Sequence, residues 1–151
     1  MKVFVGADHR GFDFKNKIIR LLEKDKHQVR DLGTYDDKTS CDYPQIAQKL
    51  AREVVKSRQG RGILICMSGI GQSIAANKVK GAYAALCHNE ESAKLSRLHN
   101  NSNILVLSAK FIEPRQLVPM IKTWLTTEFE GGRHLRRVNQ IRQIERGKKI
   151  G

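Results

Sequence analysis

Short apolar runs alternate along this chain with segments in which apolar residues recur every three or four positions. The runs have the length of β-strands, and the recurring positions are typical of helices that bury one face. The first helical segment, for example, places Phe14, Ile18 and Leu22 on one side. The predicted strands are 2–6, 28–32, the run ending at Cys66, 82–87 and 103–107. Five strands alternating with helices favour an α/β fold, with a parallel sheet covered by helices on both faces.

The later part of the pattern gives more specific predictions. The run 82–87 is small and apolar, which predicts a fully buried central strand. Asn89 can cap a helix that continues through Leu98, and residues 99–102 then form a polar break before the last strand. The helix after the loop at Cys66 is expected to run from Ser73 to about Lys80.

An extra helix follows the glycine pair at 131–132. Its apolar residues recur every three positions, and they are Leu135, Val138, Ile141 and Ile144. The segment from Arg133 to Gly151 is also strongly basic, with seven Lys or Arg residues against the single acid Glu145. We therefore predict a C-terminal helix with one apolar and one basic face.

Length and composition indicate one globular domain over residues 1–151. Hydrophobic residues make up 40% of the chain and charged residues 28%, which is unlike a disordered protein. No run approaches the roughly 18 apolar residues of a membrane span, and the apolar start is too short for a signal peptide. The three cysteines show no paired spacing, so we expect free thiols and a cytoplasmic location.

The net charge of +13 leaves two kinds of partner open. A basic protein can bind nucleic acid, but a positive field equally attracts a small anionic substrate. Charge alone does not decide between them.

The loop after Cys66 is the most informative motif. Cys66 ends an apolar run, and Gly69 and Gly71 then allow a tight turn into a helix. Unpaired N–H groups and the helix dipole favour negative charge at such a junction, so the pKa of the thiol is expected to fall from about 8.5. We interpret Cys66 as the reactive cysteine, and Cys41 and Cys87 as structural.

Familiar anion-binding motifs do not fit this loop. A dinucleotide-binding G-x-G-x-x-G would need glycine where Ile74 stands, and no Walker sequence is present. A cysteine phosphatase loop would need arginine where Gln72 stands. A permanent phosphate is therefore not gripped by arginine inside this loop.

Three polar clusters follow predicted strands, namely Asp8-His9, the loop 66–71 and His99-Asn100. Ligands of open parallel sheets bind beyond the carboxyl ends of the strands, so we predict that all three clusters meet at that edge. Arg133 and Arg137, four residues apart on one helix face, suit a clamp for a dianion. His134, between them, is interpreted as structural.

Taken together, these residues resemble ribose-5-phosphate isomerase type B and its relatives that act on six-carbon sugar phosphates. The resemblance extends from Val3 to about Glu145. The matching pieces are Gly6-x-Asp8-His9, Asp42-Tyr43-Pro44, Cys66-x-Ser68-Gly69-x-Gly71, Ala75-Ala76-Asn77-Lys78, Ser96-Arg97-x-His99-Asn100 and Glu130-Gly131-Gly132-Arg133-His134 with Arg137.

The resemblance implies a Rossmann-like three-layer sandwich and a homodimer, possibly assembled into a tetramer, with active sites at the subunit interface. It also implies that no metal or organic cofactor is used. By position, Cys66 matches the base that moves the proton, and His99 matches the residue that opens the sugar ring or donates a proton. The implied substrate contacts are Asp8, Met67, Ser68, Gly69, Ile70, Gly71 and Asn100, with His9, Arg133 and Arg137 as phosphate ligands.

Departures from the family pattern refine the expectation. Some members use a glutamate as the base in the helix after the loop, where this chain has Gln72 and Ser73, so it belongs with the cysteine type. Met67 stands where many members have glycine. Lys110 stands where many have a phosphate-contacting arginine, and lysine supplies charge there without a bidentate fork.

The expected reaction is the interconversion of ribose 5-phosphate and ribulose 5-phosphate through an enediolate. Cys66 would carry the proton between C2 and C1, while Ser68 and the loop N–H groups stabilise the enediolate oxygens. Two alternatives stay open: an isomerase of allose 6-phosphate or galactose 6-phosphate, and a basic, non-catalytic nucleic-acid-binding protein. The favoured partner is a sugar phosphate, with neither nucleic acid nor a membrane.

Overall fold

A computed structural model describes all 151 residues, and its centre is a five-stranded parallel sheet. The strands lie in the order β2-β1-β3-β5-β4. They are β1 (Lys2–Ala7), β2 (Gln28–Asp31), β3 (Arg61–Cys66), β4 (Ala84–Leu86) and β5 (Ile104–Ser108). The helices are α1 (Phe12–Lys24), α2 (Tyr43–Lys56), α3 (Ile70–Ala76), α4 (Glu90–Asn100), α5 (Pro114–Thr126) and α6 (Gly132–Glu145).

Helices cover both faces of this sheet. Successive side chains of a strand point to opposite sides, and the strands carry apolar side chains on both sides, so each face is buried by helices. Val3 and Val5 of β1 belong to one apolar cluster, together with side chains of α1, α4 and α5. Phe4, between them, belongs to a second cluster with side chains of α2 and α3. The three-layer α/β sandwich predicted from the sequence is confirmed.

The position predicted for the fourth strand is wrong. β4 pairs with β5 alone and forms an edge of the sheet, and its three residues are only half-buried. A short run of small apolar residues suits an edge strand that is covered by a helix on one side as well as it suits a central strand. Local composition could not distinguish the two.

The predicted break at residues 99–102 is also partly wrong, because α4 continues to Asn100. Asn101 then ends the helix in the left-handed conformation, with φ of 50°, which asparagine tolerates better than most residues. His99 and Asn100 therefore lie in the last turn of a helix. α3, in contrast, ends earlier than predicted, at Ala76 rather than near Lys80.

The C-terminal helix α6 forms as predicted but leaves most of its apolar face uncovered. Val138 is buried, whereas Leu135, Ile141 and Ile144 are 44%, 38% and 55% exposed. At its far end, Glu145 accepts hydrogen bonds from the Gly81 N–H at 3.0 Å and the Tyr83 hydroxyl at 3.3 Å. α6 thus crosses the amino edge of the sheet, where β4 begins. None of the helices combines the length and apolar character that crossing a membrane requires.

Candidate functional site

Three predicted site segments meet at the carboxyl edge of the sheet. Asp8, Met67 and Lys110 each lie within two residues of the ends of β1, β3 and β5. Backbone hydrogen bonds join these ends, from the Asp8 N–H to the Ile65 carbonyl at 3.2 Å and from the Lys110 N–H to the Met67 carbonyl at 3.0 Å. The parallel register therefore brings together residues that are far apart in sequence.

Cys66 lies at the centre of this edge and is only 5% exposed. Its Sγ accepts a hydrogen bond from the Gly69 N–H at 3.0 Å. Gly69 has a φ of 81° and packs so closely on Leu86 that a Cβ atom would clash with that side chain. The turn that aims an N–H group at the sulfur therefore requires glycine at this position.

The pKa of the Cys66 thiol is raised in the single chain, which contradicts the expectation of a lowered value. Burial is the largest cause, and the nearby Asp8 carboxylate acts in the same direction. The N–H groups of Gly69, Gln72 and Ser68 lower the pKa, but burial outweighs them. The net effect in the single chain disfavours the thiolate.

Asp8 is itself a buried carboxyl group, at 8% exposed. Its Oδ1 accepts hydrogen bonds from the N–H groups of Arg10 and Gly11, both at 3.0 Å, and so caps the short turn His9–Gly11. Burial nevertheless raises the pKa of Asp8 above its ordinary value. Nδ1 of His9 is buried without a hydrogen-bond partner in this chain, so it keeps an unused donor or acceptor beside Asp8.

The rest of the loop presents its side chains outward. Met67 and Ile70 are about half exposed, and the Ser68 hydroxyl accepts a weak hydrogen bond from the Ile70 N–H at 3.3 Å. Gly71 packs against the Tyr43 ring so closely that a Cβ atom would lie 2.5 Å from Cζ. The loop is thus held by its backbone and leaves Ser68 available for a ligand.

Gln72 is a buried polar residue of this region to which we assigned no role from the sequence. Its side chain is fully buried, and neither its amide nitrogen nor its amide oxygen has a hydrogen-bond partner. Its backbone N–H is one of the groups that lower the pKa of Cys66. One signal in the sequence could have pointed to Gln72. It lies in the helix where some related proteins are expected to have a glutamate base.

A second cluster forms around His99 at the end of α4. The rings of His99 and His134 are stacked, with centroids 4.1 Å apart and planes 7° from parallel. Glu130 Oε2 lies 4.0 Å from His99 Nε2 and 3.9 Å from His134 Nε2. His134, interpreted as structural from the sequence, is therefore the direct neighbour of a predicted catalytic residue.

Basic residues of α6 extend this second cluster. Arg133 Nε donates a hydrogen bond to His134 Nε2 at 3.4 Å, and Arg137 lies one helical turn further along. Burial and the neighbouring His99 lower the pKa of His134, which favours the neutral ring that this hydrogen bond needs. Arg133, Arg137 and Asn100 are all exposed, so their polar groups face outward.

A metal ion could in principle bind at this cluster, because it groups three side chains with metal-ligating atoms. These atoms, on His99, Glu130 and His134, lie within 4.8 Å of one another. Stacked imidazoles hold their lone pairs in parallel planes, whereas one zinc ion at about 2.0–2.1 Å from nitrogen needs converging lone pairs. The arrangement suits ring stacking better than metal binding.

The two clusters occupy opposite edges of the sheet. α4 begins beyond the carboxyl end of β4, runs back along the sheet and ends just before β5 starts. Asn103, at that start, accepts the Tyr83 N–H through its side chain at 2.8 Å and the Gly62 N–H through its carbonyl at 2.9 Å, so the strands begin there too. The height of the sheet, roughly 15 Å for five residues, separates His99 from Cys66 in one chain.

The prediction that all the polar clusters meet at one edge is therefore wrong for His99 and Asn100. The carboxyl edge holds Asp8, His9, Lys110 and the loop from Cys66 to Gly71. The amino edge holds His99, Asn100, Arg133 and Arg137.

Comparison with known proteins shows the family to which this chain belongs. A family model described as Ribose/Galactose Isomerase matches residues 3–141. This chain belongs to the ribose/galactose isomerase family. The match includes every predicted site residue of both edges.

Solved structures of this isomerase family share the fold. Ribose-5-phosphate isomerase B from Clostridium thermocellum is 44% identical, with a TM-score of 0.93 over 97% of this chain and 99% of that one. A structure of ribose-5-phosphate isomerase B from Mycoplasma genitalium with bound ribulose-5-phosphate is 40% identical, with a TM-score of 0.93 over 96% of both chains. The ribose-5-P isomerase B of Listeria innocua is 37% identical over 96% of this chain and 97% of its own.

Proposed function

We propose that this chain forms a single isomerase domain that interconverts ribose 5-phosphate and ribulose 5-phosphate through an enediolate, with Cys66 as the base. The similarity to the ribulose-5-phosphate-bound structure, at 40% identity and a TM-score of 0.93, carries the proposal. The buried thiol beside a turn of N–H donors supports proton transfer at this edge.

We further propose that the enzyme works as a homodimer in which each active site combines the carboxyl edge of one chain with the amino edge of the other. The distance between Cys66 and His99 within one chain supports this, because the two cannot act on one five-carbon sugar. The uncovered apolar face of α6 lies beside Arg133 and Arg137 and fits a surface that a second copy would bury. Twofold symmetry then completes two equivalent sites.

The chemistry divides between the two edges. His99 opens the sugar ring, while Arg133 and Arg137, with His9 and Lys110, hold the phosphate and fix the carbon chain against Cys66. Cys66 takes the C2 proton and returns it to C1. Ser68 and the N–H groups of Gly69 to Gly71 stabilise the enediolate oxygens, at roughly 3–4 kcal/mol for each donor in comparable oxyanion holes.

An active site built from two chains would also lower the pKa of Cys66 from its raised value in the single chain. In one chain, Asp8 and burial disfavour the thiolate. Cationic groups brought by the second copy would favour it, because an opposite charge within about 4–6 Å lowers the pKa of an acid. Dimerisation would therefore complete the base as well as the phosphate clamp.

Mixing two inactive variants tests this arrangement. Cys66→Ala and His99→Ala chains, unfolded and refolded together in equal amounts, should recover about a quarter of wild-type activity, because half of the dimers then carry one intact site. If both residues acted within one chain, the mixture would stay inactive.

A matched control mixes Cys66→Ala with Asp8→Ala. These two residues share one edge of the same chain, so no mixed dimer contains an intact site, and no recovery is expected. Recovery in this control to the level of the first mixture would contradict the division between chains.

An isomerase of a six-carbon sugar phosphate is the second candidate, because the matching family is described by both ribose and galactose. One extra carbon lengthens the distance from the phosphate to the base. Comparison of kcat/KM for ribose 5-phosphate, allose 6-phosphate and galactose 6-phosphate decides between them, and we expect the five-carbon sugar to be preferred.

The wider setting follows from the same proposal. All three cysteines are free thiols, which fits a reducing compartment such as the cytoplasm. Dimers can pair into tetramers through surfaces outside the site.

The non-catalytic nucleic-acid-binding alternative does not explain the isomerase family match, and we do not propose it.

A further inference from the structure

An open cleft of about 430 Å³ lies at the amino edge of the sheet, between the end of α2, the starts of β3 and β4 and the last turn of α6. It is separate from the phosphate clamp proposed above. Arg142, on its wall, is nine positions from Arg133 along α6, which is about 13 Å. Neither Arg133 nor Arg137 lines the cleft.

Cationic side chains dominate the walls of this cleft. Five of its lining residues are basic and one is acidic: Arg58, Arg61, Lys80, Arg142 and Arg146, against Glu145. None of the five basic residues forms a salt bridge. The walls therefore carry a net positive charge.

Two other polar side chains of the cleft are already engaged in holding the fold. Both oxygens of Glu145 accept hydrogen bonds, from the Gly81 N–H and the Tyr83 hydroxyl. The Asn103 side chain donates to the Gly81 carbonyl and accepts from the Tyr83 N–H, both at 2.8 Å. What the cleft leaves free for a ligand is its positive charge.

Arg61 is a partly buried residue of the cleft wall. Its Nε is buried and has no hydrogen-bond partner, although a buried donor normally has one. Burial lowers the pKa of Arg61, with Glu128 acting in the opposite direction, yet an arginine stays charged at neutral pH. Arg142, in the last turn of α6, and Arg146, which follows the helix four positions later, also repel one another. An anion in the cleft would offset the repulsion between Arg142 and Arg146.

We propose that this cleft is a binding site for a compact polyphosphate anion, such as pyrophosphate or the phosphate chain of a nucleoside triphosphate. Arginine binds phosphate oxygens in bidentate fashion, and four of the five cations are arginines. The arginine side chains come from two segments, just after α2 and at the end of α6, and linked phosphates offer more oxygens to contact both than a single phosphate does. The volume falls within the range of small-molecule sites, about 300–1,000 Å³.

Calorimetric titration of the full-length protein with pyrophosphate tests the proposal, with sodium sulfate at the same ionic strength as the comparison. We expect saturable pyrophosphate binding that sulfate does not reproduce. Arg58→Ala/Arg146→Ala should raise the pyrophosphate Kd at least about tenfold. Lys49→Ala/Lys94→Ala, which removes the same charge from exposed positions elsewhere, should leave the Kd unchanged.

Two further arms separate the possible ligands and sites. Pyrophosphate binding should persist in Arg133→Ala/Arg137→Ala. If this variant lost pyrophosphate binding while Arg58→Ala/Arg146→Ala retained it, the binding would belong to the sugar-phosphate clamp and the proposal would be overturned. ATP that binds at least as tightly as pyrophosphate would identify the nucleoside triphosphate as the source of the phosphates, and weaker ATP binding would identify the free anion. Equal binding of sulfate, or binding of a short RNA without pyrophosphate, would overturn the proposal.

Discussion

The carboxyl edge of the sheet positions Cys66 through backbone contacts, whereas the amino edge positions His99 through side chains of two helices. At the carboxyl edge, the Gly69 N–H meets the sulfur at 3.0 Å and strand pairing fixes the neighbouring ends. At the amino edge, the His99 ring rests on His134 at 4.1 Å, beside the exposed Glu130. At the first edge the thiol is buried and held by its own chain's backbone, and the second edge is a surface with charged groups and an uncovered helix face. We infer that the second edge is completed by association.

The largest effect should come from the buried edge. Cys66→Ala removes the proposed base, and we expect kcat to fall about 10³-fold, since a general base contributes typically 10²- to 10⁴-fold. KM and the thermal unfolding midpoint should change little. Steady-state assays with ribose 5-phosphate measure this, and Cys41→Ala, which removes a thiol in a loop, is the matched control. Near-wild-type activity in Cys66→Ala would remove the cysteine-base mechanism.

The phosphate clamp that we propose at the amino edge should show a different kinetic signature. Arg137→Ala should raise KM about 10- to 100-fold with a smaller change in kcat, because a bidentate contact to the phosphate is lost in ground state and transition state alike. Arg136→Ala removes the adjacent charge on α6 and serves as the control. An unchanged KM in Arg137→Ala would exclude this residue as a phosphate ligand.

The stacked pair predicts a positioning role for His134. His134→Ala should lower kcat about tenfold at unchanged KM, because the ring that supports His99 is lost. His134→Phe, which keeps a flat ring of similar width, should restore most of the activity. A merely structural role would instead lower the unfolding midpoint in His134→Ala without separating kcat from KM.

The smallest effect concerns the stability of the carboxyl edge. Because the pKa of Asp8 is raised in the folded state, wild-type stability falls as pH rises from about 3.8 through the folded pKa. Asp8→Asn keeps an oxygen for the N–H groups of Arg10 and Gly11 but never ionises. It should match the wild type below that window and be more stable above it, because the wild type alone bears the cost of a buried carboxylate there.

Removing the Asp8 charge should also lower the pKa of Cys66, since that carboxylate raises it. Thermal unfolding across the pH range and the ultraviolet absorbance of the thiolate measure the two effects. Equal stability at neutral pH, together with an unchanged thiolate titration, would contradict the coupling. Activity should fall in the same variant, because Asp8 is a proposed substrate contact.

Local sequence predicted the carboxyl edge well, because its geometry depends on neighbours in the chain. An apolar run, a thiol and two glycines specify strand, turn and helix within about ten residues. The amino edge depends on contacts between residues 99, 130 and 134, which local periodicity does not report. The assumption that every polar segment after a strand lies at the carboxyl edge also failed at His99, because a helix intervenes between β4 and that residue.

By itself, the sequence determined the α/β class, the Cys66 turn and, through its motifs, the resemblance to sugar-phosphate isomerases. These follow from apolar periodicity and from glycines whose backbone conformation is a local property. Only the tertiary structure decided that β4 is an edge strand, that burial raises the pKa of Cys66, and that His99 lies at the opposite edge of the sheet from Cys66. Strand order, burial and the direction in which a helix returns along the sheet arise from packing between distant segments.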